Sequence, residues 1–238
     1  MIDTHAHLDK VNDDVRGEVK KIILAGSGIE DSKNNIKLAK KYDFILVAIG
    51  IHPQSEIEKV NQLEKLINNQ VVAIGECGLD FSREHNKKLQ ETAFKKQIEL
   101  AKKYDLPLII HARKAIDEVI EILKEYKKLK GVFHCYSGGK KRIKKILELG
   151  DNWYFGIDGN LTYEDGLVDT VREIPKDRLL LETDCPYLTP VPFRGEENKP
   201  AYIKYTYQKM ANIWEKSFEE TEKIIDTNAE KLFTKNQK

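Results

Sequence analysis

Short apolar or β-branched runs recur along this chain of 238 residues at the interval of one strand plus one helix. They predict strands at Met1–His5, Lys21–Ala25, Phe44–Ile49, Val71–Gly75, Leu108–His111, Val132–His134, Trp153–Ile157 and Leu179–Thr183. Runs that are apolar on both faces belong to parallel strands covered by helices. Between them lie stripes at three- and four-residue steps. Leu89, Ala93, Phe94, Ile98 and Ala101 form one, stopped at Asp105-Leu106-Pro107; Ile116, Val119, Ile120, Leu123 and Tyr126 form the next; Ile143, Ile146, Leu147 and Leu149 form another, ended by Gly150. Pro186 to Pro200 carries Pro186, Pro190, Pro192, Pro200 and Gly195 and reads as a long ordered loop, followed by closing helices over Tyr202 to Trp214 and Glu219 to Phe233. Eight strands alternating with helices predict an α/β fold: one (β/α)8 TIM barrel, residues 1–238 as a single domain, with its active site at the C-terminal ends of the strands.

Composition narrows the function classes. Forty Lys and Arg against 39 Asp and Glu leave a formal net charge of +1, which argues against coating nucleic acid by charge alone but not against gripping a few phosphates locally. The longest apolar run, Phe44 to Ile51, is far short of the roughly 20 residues that cross a bilayer. With Met1-Ile2 directly before the first chemical motif, no leader is expected, and the expected location is the cytoplasm. Cys77, Cys135 and Cys185 make no CxxC pair; each follows a candidate ligand, so alternation along a strand turns all three thiols outward, beneath the helices.

That motif is Asp3-Thr4-His5-Ala6-His7. Histidines at i and i+2 on a strand point the same way, and on an inward face His5 and His7 can share one metal ion. Glu76, His111, His134 and Asp184 each stand at the end of another predicted strand, so six ligand-type residues share one rim. Without a cation such a cluster is a costly set of buried, unpaired groups. His, Asp and Glu together suit Zn²⁺, Mn²⁺, Fe²⁺ or Co²⁺ better than Mg²⁺. Six ligands exceed the need of one ion. A carboxylate-bridged pair fits them, with His5, His7 and Asp184 on one ion, His111 and His134 on the other, and Glu76 between. Asp3 shares the parity of the histidines and is expected to orient a ligand rather than bind metal. His85, among Arg83, Glu84 and Asn86, is expected to be merely exposed.

The flanks of these residues are as telling as the residues themselves. Met1-Ile2-Asp3-Thr4-His5-Ala6-His7-Leu8-Asp9, Gly50-Ile51-His52-Pro53, Ala73-Ile74-Gly75-Glu76-Cys77-Gly78-Leu79-Asp80-Phe81, Leu106-Pro107-Leu108-Ile109-Ile110-His111-Ala112-Arg113, Gly131-Val132-Phe133-His134-Cys135-Tyr136-Ser137-Gly138 and Leu181-Glu182-Thr183-Asp184-Cys185-Pro186-Tyr187-Leu188-Thr189-Pro190 occur in this order, followed by Arg194-Gly195, Asn198 and Pro200. Together they resemble the TatD family of metal-dependent deoxyribonucleases, within the amidohydrolase-like barrel superfamily, over nearly the whole chain. The resemblance implies a hydrolase using two divalent ions (Mg, Mn or Zn) and acting on DNA phosphodiesters, commonly as a 3′-to-5′ exonuclease on single strands. It implies Asp184 and Glu76 as catalytic groups, with Asp184 taking the proton of the attacking water. His52, Arg113, Glu182 and Arg194 are the expected substrate contacts, with Asn198 a further candidate on the loop. Lys114 and Asp158-Gly159-Asn160 depart from the family pattern in places that bear on substrate, not on metal.

Two other readings use the same residues. The barrel also hosts hydrolases of small esters, amides and lactones, and the ester of an aminoacyl-tRNA is a further possible target. A carboxylate at Glu76, where classical amidases often place a modified lysine, favours the nuclease. A scaffold that has lost activity is disfavoured by the full ligand set. No membrane and no obligate protein partner is expected, and the partner implied is single-stranded DNA.

Overall fold

The computed structural model describes residues 1–83 and 86–234; His85 lies outside them. Eight parallel strands follow one another around a single sheet: β1 (Ile2–Ala6), β2 (Lys21–Ala25), β3 (Ile45–Ile49), β4 (Val71–Asp80), β5 (Leu108–Arg113), β6 (Gly131–Phe133), β7 (Trp153–Ile157) and β8 (Leu179–Leu181). The helices are α1 (Asp13–Arg16), α2 (Ile29–Lys41), α3 (Lys87–Tyr104), α4 (Ile116–Lys124), α5 (Lys140–Leu147), α6 (Asp165–Val171), α7 (Ile203–Trp214) and α8 (Phe218–Phe233), with a 3-10 stretch over Ile57–Leu66 between β3 and β4. No helix among the described residues is long and apolar enough to cross a membrane.

The sheet closes into a barrel at the β1/β8 seam. His7 N–H donates to the Cys185 carbonyl and Asp184 N–H to the His5 carbonyl, both at 2.9 Å, and Ala6 bridges Cys185 in parallel. Three ligand-type residues therefore meet because the barrel closes through their own backbone.

The core has two parts. Ile2, Ile23, Ala48, Ala73, Ile109, Val132, Tyr154 and Leu180 fill the barrel interior, and Ala229, Leu232 and Phe233 of α8 pack into the same cluster. A larger cluster lies between the strands and the outer helices and includes Ala6, Ile74, Cys77, Leu79 and Cys185. Simple alternation would put His5 opposite Ile2. However, β1 spends three residues (Asp3 to Ala6) where β2 spends two (Ile22 to Leu24), and β4 likewise uses Ile74 to Cys77 against Leu108 to Ile110 of β5. An extra residue of this kind bends a strand and re-aims its side chains. These two bulges allow Ile2 and Ala73 to fill the interior low in the barrel while His5 and Glu76 face the same interior higher up.

Strands and helices fall where the runs and stripes predict them, with ends shifted by a few residues. β4 runs to Asp80 rather than stopping at Gly75, because its second half pairs with β5 as far as Asp80 opposite Arg113. Leu89 is 56% exposed rather than part of the α3 core stripe, since it falls in the first turn, beyond the contact with the barrel. Asn86 caps that turn by accepting from Leu89 N–H at 3.2 Å.

Close backbone approach makes Gly50 irreplaceable beneath the rim. The Gly75–Glu76 peptide is cis, and a Cβ on Gly50 would come within 2.4 Å of the Gly75 carbonyl carbon and 2.7 Å of Glu76 backbone atoms. These atoms have no freedom to withdraw. Gly50→Ala should cost about 1–3 kcal/mol of stability, as overpacking does, read as a lower denaturant midpoint; an unchanged midpoint would contradict this packing.

Candidate metal centre

Six of the side chains singled out by pattern converge at the C-terminal mouth of the barrel. β1 and its continuation bring His5 and His7, β4 brings Glu76, β5 brings His111, and the residues just beyond β6 and β8 bring His134 and Asp184. His5, Glu76 and His134 are buried, while His7, His111 and Asp184 are partly open to the cleft.

His5 and His7 stand between two carboxylate oxygens, Glu76 Oε2 and Asp184 Oδ1. His5 Nε2 and His7 Nε2 are 3.1 Å apart; His5 Nε2 lies 3.5 Å from both Glu76 Oε2 and Asp184 Oδ1, and His7 Nε2 lies 3.5 and 3.6 Å from the same two oxygens. Ligands about 2.0–2.2 Å from a tetrahedral ion stand roughly 3.3–3.5 Å from one another. The donor set thus fits a divalent cation in both chemistry and spacing. The other carboxylate oxygen faces a second set: Glu76 Oε1 is 2.6 Å from His111 Nδ1 and 2.8 Å from His134 Nε2, and those two nitrogens are 3.3 Å apart. One carboxylate therefore faces two groups of donors, each able to hold an ion. The rings of His5 and His134 stack at 4.1 Å between the groups.

Electrostatics follow from this crowding. Burial alone would push Glu76 up, but His134, His111 and His5 outweigh it and hold the carboxyl well below its usual range. Burial likewise opposes a charge on His134, yet Glu76 and Glu182 raise it well above the ordinary imidazole value. His5 is lowered to about 4, first by burial and then by His134. Asp184 is pushed up to about 7, mainly by burial, with Glu76 adding to the rise and His134 and His7 opposing it.

Other expected residues occupy different places. Asp3 supports the site through the backbone rather than through a ring: its carboxylate accepts from His5 N–H (3.3 Å), Thr183 N–H (3.0 Å) and the Thr183 hydroxyl (2.6 Å), tying β1 to the chain beyond β8. Glu182, expected to touch substrate, is fully buried behind the site; it accepts from Cys135 N–H at 2.5 Å and lies 3.5 Å from His134 Nδ1, where it backs the ring. Its place is set by Gly156, whose missing Cβ leaves the space for Oε2.

Asn198 is also buried, and its amide donates to the carbonyls of Thr183 and Tyr187, so it holds the loop rather than a nucleotide. Arg194 is exposed and lies over the Tyr163 ring at 3.7 Å. Arg113 is exposed two residues beyond His111. His52 is half-buried beside the cleft, its Nε2 3.7 Å from Glu76 Oε1.

Cys77 and Cys185 are buried in the outer cluster, as alternation predicts. Cys135 departs from it. Its backbone turns to a φ of 43°, and its thiol meets Asp158 rather than the helix layer.

One functional-looking acid escapes the pattern reading. Asp80 lies 3.2 Å from His111 Nε2. Ending the fourth strand at Gly75 hides it; the signal that could have revealed it is an acid four residues beyond Glu76 on the same motif.

The arrangement has measurable consequences. Removing the shared carboxylate by Glu76→Ala should lower metal content at both donor sets together, whereas His111→Ala should deplete one; elemental analysis showing two bound ions in Glu76→Ala would refute the sharing. Because Asp184, raised to about 7, and His134, raised well above the ordinary imidazole value, must both shed protons to ligate, metal affinity falls as pH drops, by roughly tenfold per pH unit for each linked proton. Calorimetric titrations with Zn²⁺ across pH 5.5–8 check the slope; a flat profile would contradict it.

Comparison with known proteins agrees with the geometry. The family model of TatD related DNase matches residues 2–234. The metal-dependent hydrolase YabD of Bacillus subtilis is 37% identical, covering 98% of this chain and 98% of its own. The metal-dependent hydrolase YcfH of Escherichia coli is 32% identical over 98% of this chain and 95% of its own. Among solved structures, the TatD homologue YjjV of Escherichia coli superposes with a TM-score of 0.89 at 28% identity, covering 99% of this chain and 98% of that one. A TatD family hydrolase of Entamoeba histolytica gives 0.85 at 25% identity, over 98% and 97%.

Proposed function

The chain belongs to the TatD related DNase family of metal-dependent hydrolases, and from that premise we propose that it is an exodeoxyribonuclease releasing nucleotides from the 3′ end of single-stranded DNA. The observation that carries this reading is the one carboxylate, Glu76, set between two groups of metal-type donors. An ion pair spaced by a carboxylate suits in-line displacement at phosphorus, where the attacking and the leaving oxygen both gather charge.

In this reading His5, His7, Glu76 and Asp184 hold one ion, and Glu76, His111 and His134 hold the second. Mg²⁺, Mn²⁺ or Zn²⁺ bound there supplies Lewis acidity toward the phosphodiester and makes a water acidic enough to attack near neutral pH. Asp184, partly open to the cleft, is placed to receive that water's proton. His52, at the edge of the same cleft, offers an N–H to a non-bridging phosphate oxygen.

Arg113, exposed beyond His111, presents a planar fork of donors to the next phosphate. Arg194 is carried on the long loop after β8 and stacked on Tyr163, where it can meet the strand farther from the cut. Near-neutral net charge is consistent with grip by a few placed cations rather than a basic coat.

Excess chelator should abolish release of nucleotides from end-labelled single-stranded DNA, and Mn²⁺ or Mg²⁺ should restore it; full activity in chelator would rule the reading out. Arg113→Ala should leave both ions bound and raise KM for single-stranded DNA about fivefold, equivalent to roughly 1 kcal/mol for a charged contact at an exposed site. Unchanged KM would remove Arg113 from the cleft's contacts.

A further inference from the structure

Beside the two donor groups lies another cluster, His52, Asp80 and His111, to which the proposed chemistry gives no common task. Its hydrogen bonds are directional. Ser82 donates both its backbone N–H (2.8 Å) and its hydroxyl (2.5 Å) to Asp80 Oδ1. Asp80 Oδ2 is left to face His111 Nε2 at 3.2 Å. An ionised carboxylate only accepts, so His111 carries a proton on Nε2. Its Nδ1 faces Glu76 Oε1 and His134 Nε2; without a cation the Glu76 carboxylate draws a proton there too, and a cation would take the place of that proton while the one facing Asp80 stays on Nε2.

The same logic applies to His52. Gln54 N–H donates to His52 Nδ1 at 3.1 Å. An accepting ring nitrogen has no proton, so the neutral ring keeps its proton on Nε2, the atom on the cleft side. A nitrogen that carries a proton cannot ligate. The cluster is therefore not a third cation site, although its residue types would suit one. Gln54 Nε2 also donates to Ser82 Oγ at 3.3 Å, which ties the loop after β3 to the end of β4.

We propose that Asp80, Ser82 and Gln54 form a single positioning brace that holds the His111 proton away from its ligating nitrogen and the His52 proton toward the substrate. The inference rests on the metal and phosphodiester reading for its purpose, but its geometry can be tested without DNA. It adds three positioning residues that touch neither ion nor substrate and act through two imidazoles. Outer partners of this kind fix the tautomer and orientation of metal-bound histidines in general.

Asp80→Asn discriminates sharply. With two Ser82 donors on one side-chain oxygen, the carboxamide keeps its oxygen there and turns its NH₂ toward His111 Nε2. That nitrogen must then accept, and the proton moves to Nδ1, the ligating atom. Calorimetric titration with Zn²⁺ should show one of two binding steps weakened about 10–100-fold and the other unchanged. Two steps of wild-type affinity in Asp80→Asn would overturn the proposal.

A second measurement uses the wild-type protein and so does not depend on how the variant folds. Nitrogen-15 spectra of the zinc-loaded enzyme should place the imidazole protons of His52 and His111 both on Nε2. A proton on His52 Nδ1, or zinc on His52 Nε2, would overturn it equally. Gln54→Pro, which removes the backbone N–H that His52 Nδ1 accepts, should release His52 to exchange between its tautomers while both zinc steps persist; a His52 still locked with its proton on Nε2 would show that this N–H is not part of the brace. None of these readouts involves hydrolysis, so a protein that passes them and cuts no DNA would end the nuclease reading and leave the brace intact.

Discussion

The architecture of the mouth depends on neutralising one buried carboxylate. Glu76 is almost inaccessible to solvent, and a lone charge in such a place is not tolerated. Its two oxygens face opposite ways, one toward His5 and His7 at 3.5 Å, the other toward His111 and His134 at 2.6 and 2.8 Å. Imidazoles answer the charge when protonated and share it with cations when not. The same arrangement that makes the protein tolerate Glu76 therefore makes it a place for divalent ions, and removing protons from the ring nitrogens is the exchange that admits them.

Meeting that requirement shapes the barrel itself. The β1/β8 seam is sealed by hydrogen bonds from the backbones of His7 and Asp184, and Asp3 ties the same two segments through Thr183. One extra residue in β1 and one in β4 turn His5 and Glu76 inward above an interior that is apolar below. Gly50 removes the side chain that would displace Glu76. Behind the rings, Glu182 backs His134 and Asp80 backs His111. Precision at the rim thus comes from packing and hydrogen bonds that no ion or substrate touches.

Much of this was legible in the chain. Parallel strands buried on both faces betray themselves as apolar runs, and all eight appear, because burial on two sides leaves no room for polar interruptions. The six ligand-type residues were visible because polar groups at the ends of such runs demand a reason. What pattern could not supply were the departures from alternation. The β4 bulge hid the strand's second half and with it Asp80. The turn at Cys135 moved its thiol from the helix layer to Asp158. Glu182, which shares the parity of Asp184, and Asn198, on the long loop, read as substrate contacts, yet both are buried and satisfy backbone donors or acceptors of neighbouring segments. Position along a strand gives height and side; depth and partner come only from the folded chain.

The most direct test of a shared Glu76 is whether two bound ions sense each other. Electron paramagnetic resonance of the protein loaded with Mn²⁺ measures this, because ions bridged by one carboxylate are magnetically coupled. A coupled-pair spectrum is expected in the wild-type protein, and its disappearance in Glu76→Ala. A simple six-line spectrum from isolated Mn²⁺ at full loading of the wild-type protein would contradict the sharing of Glu76.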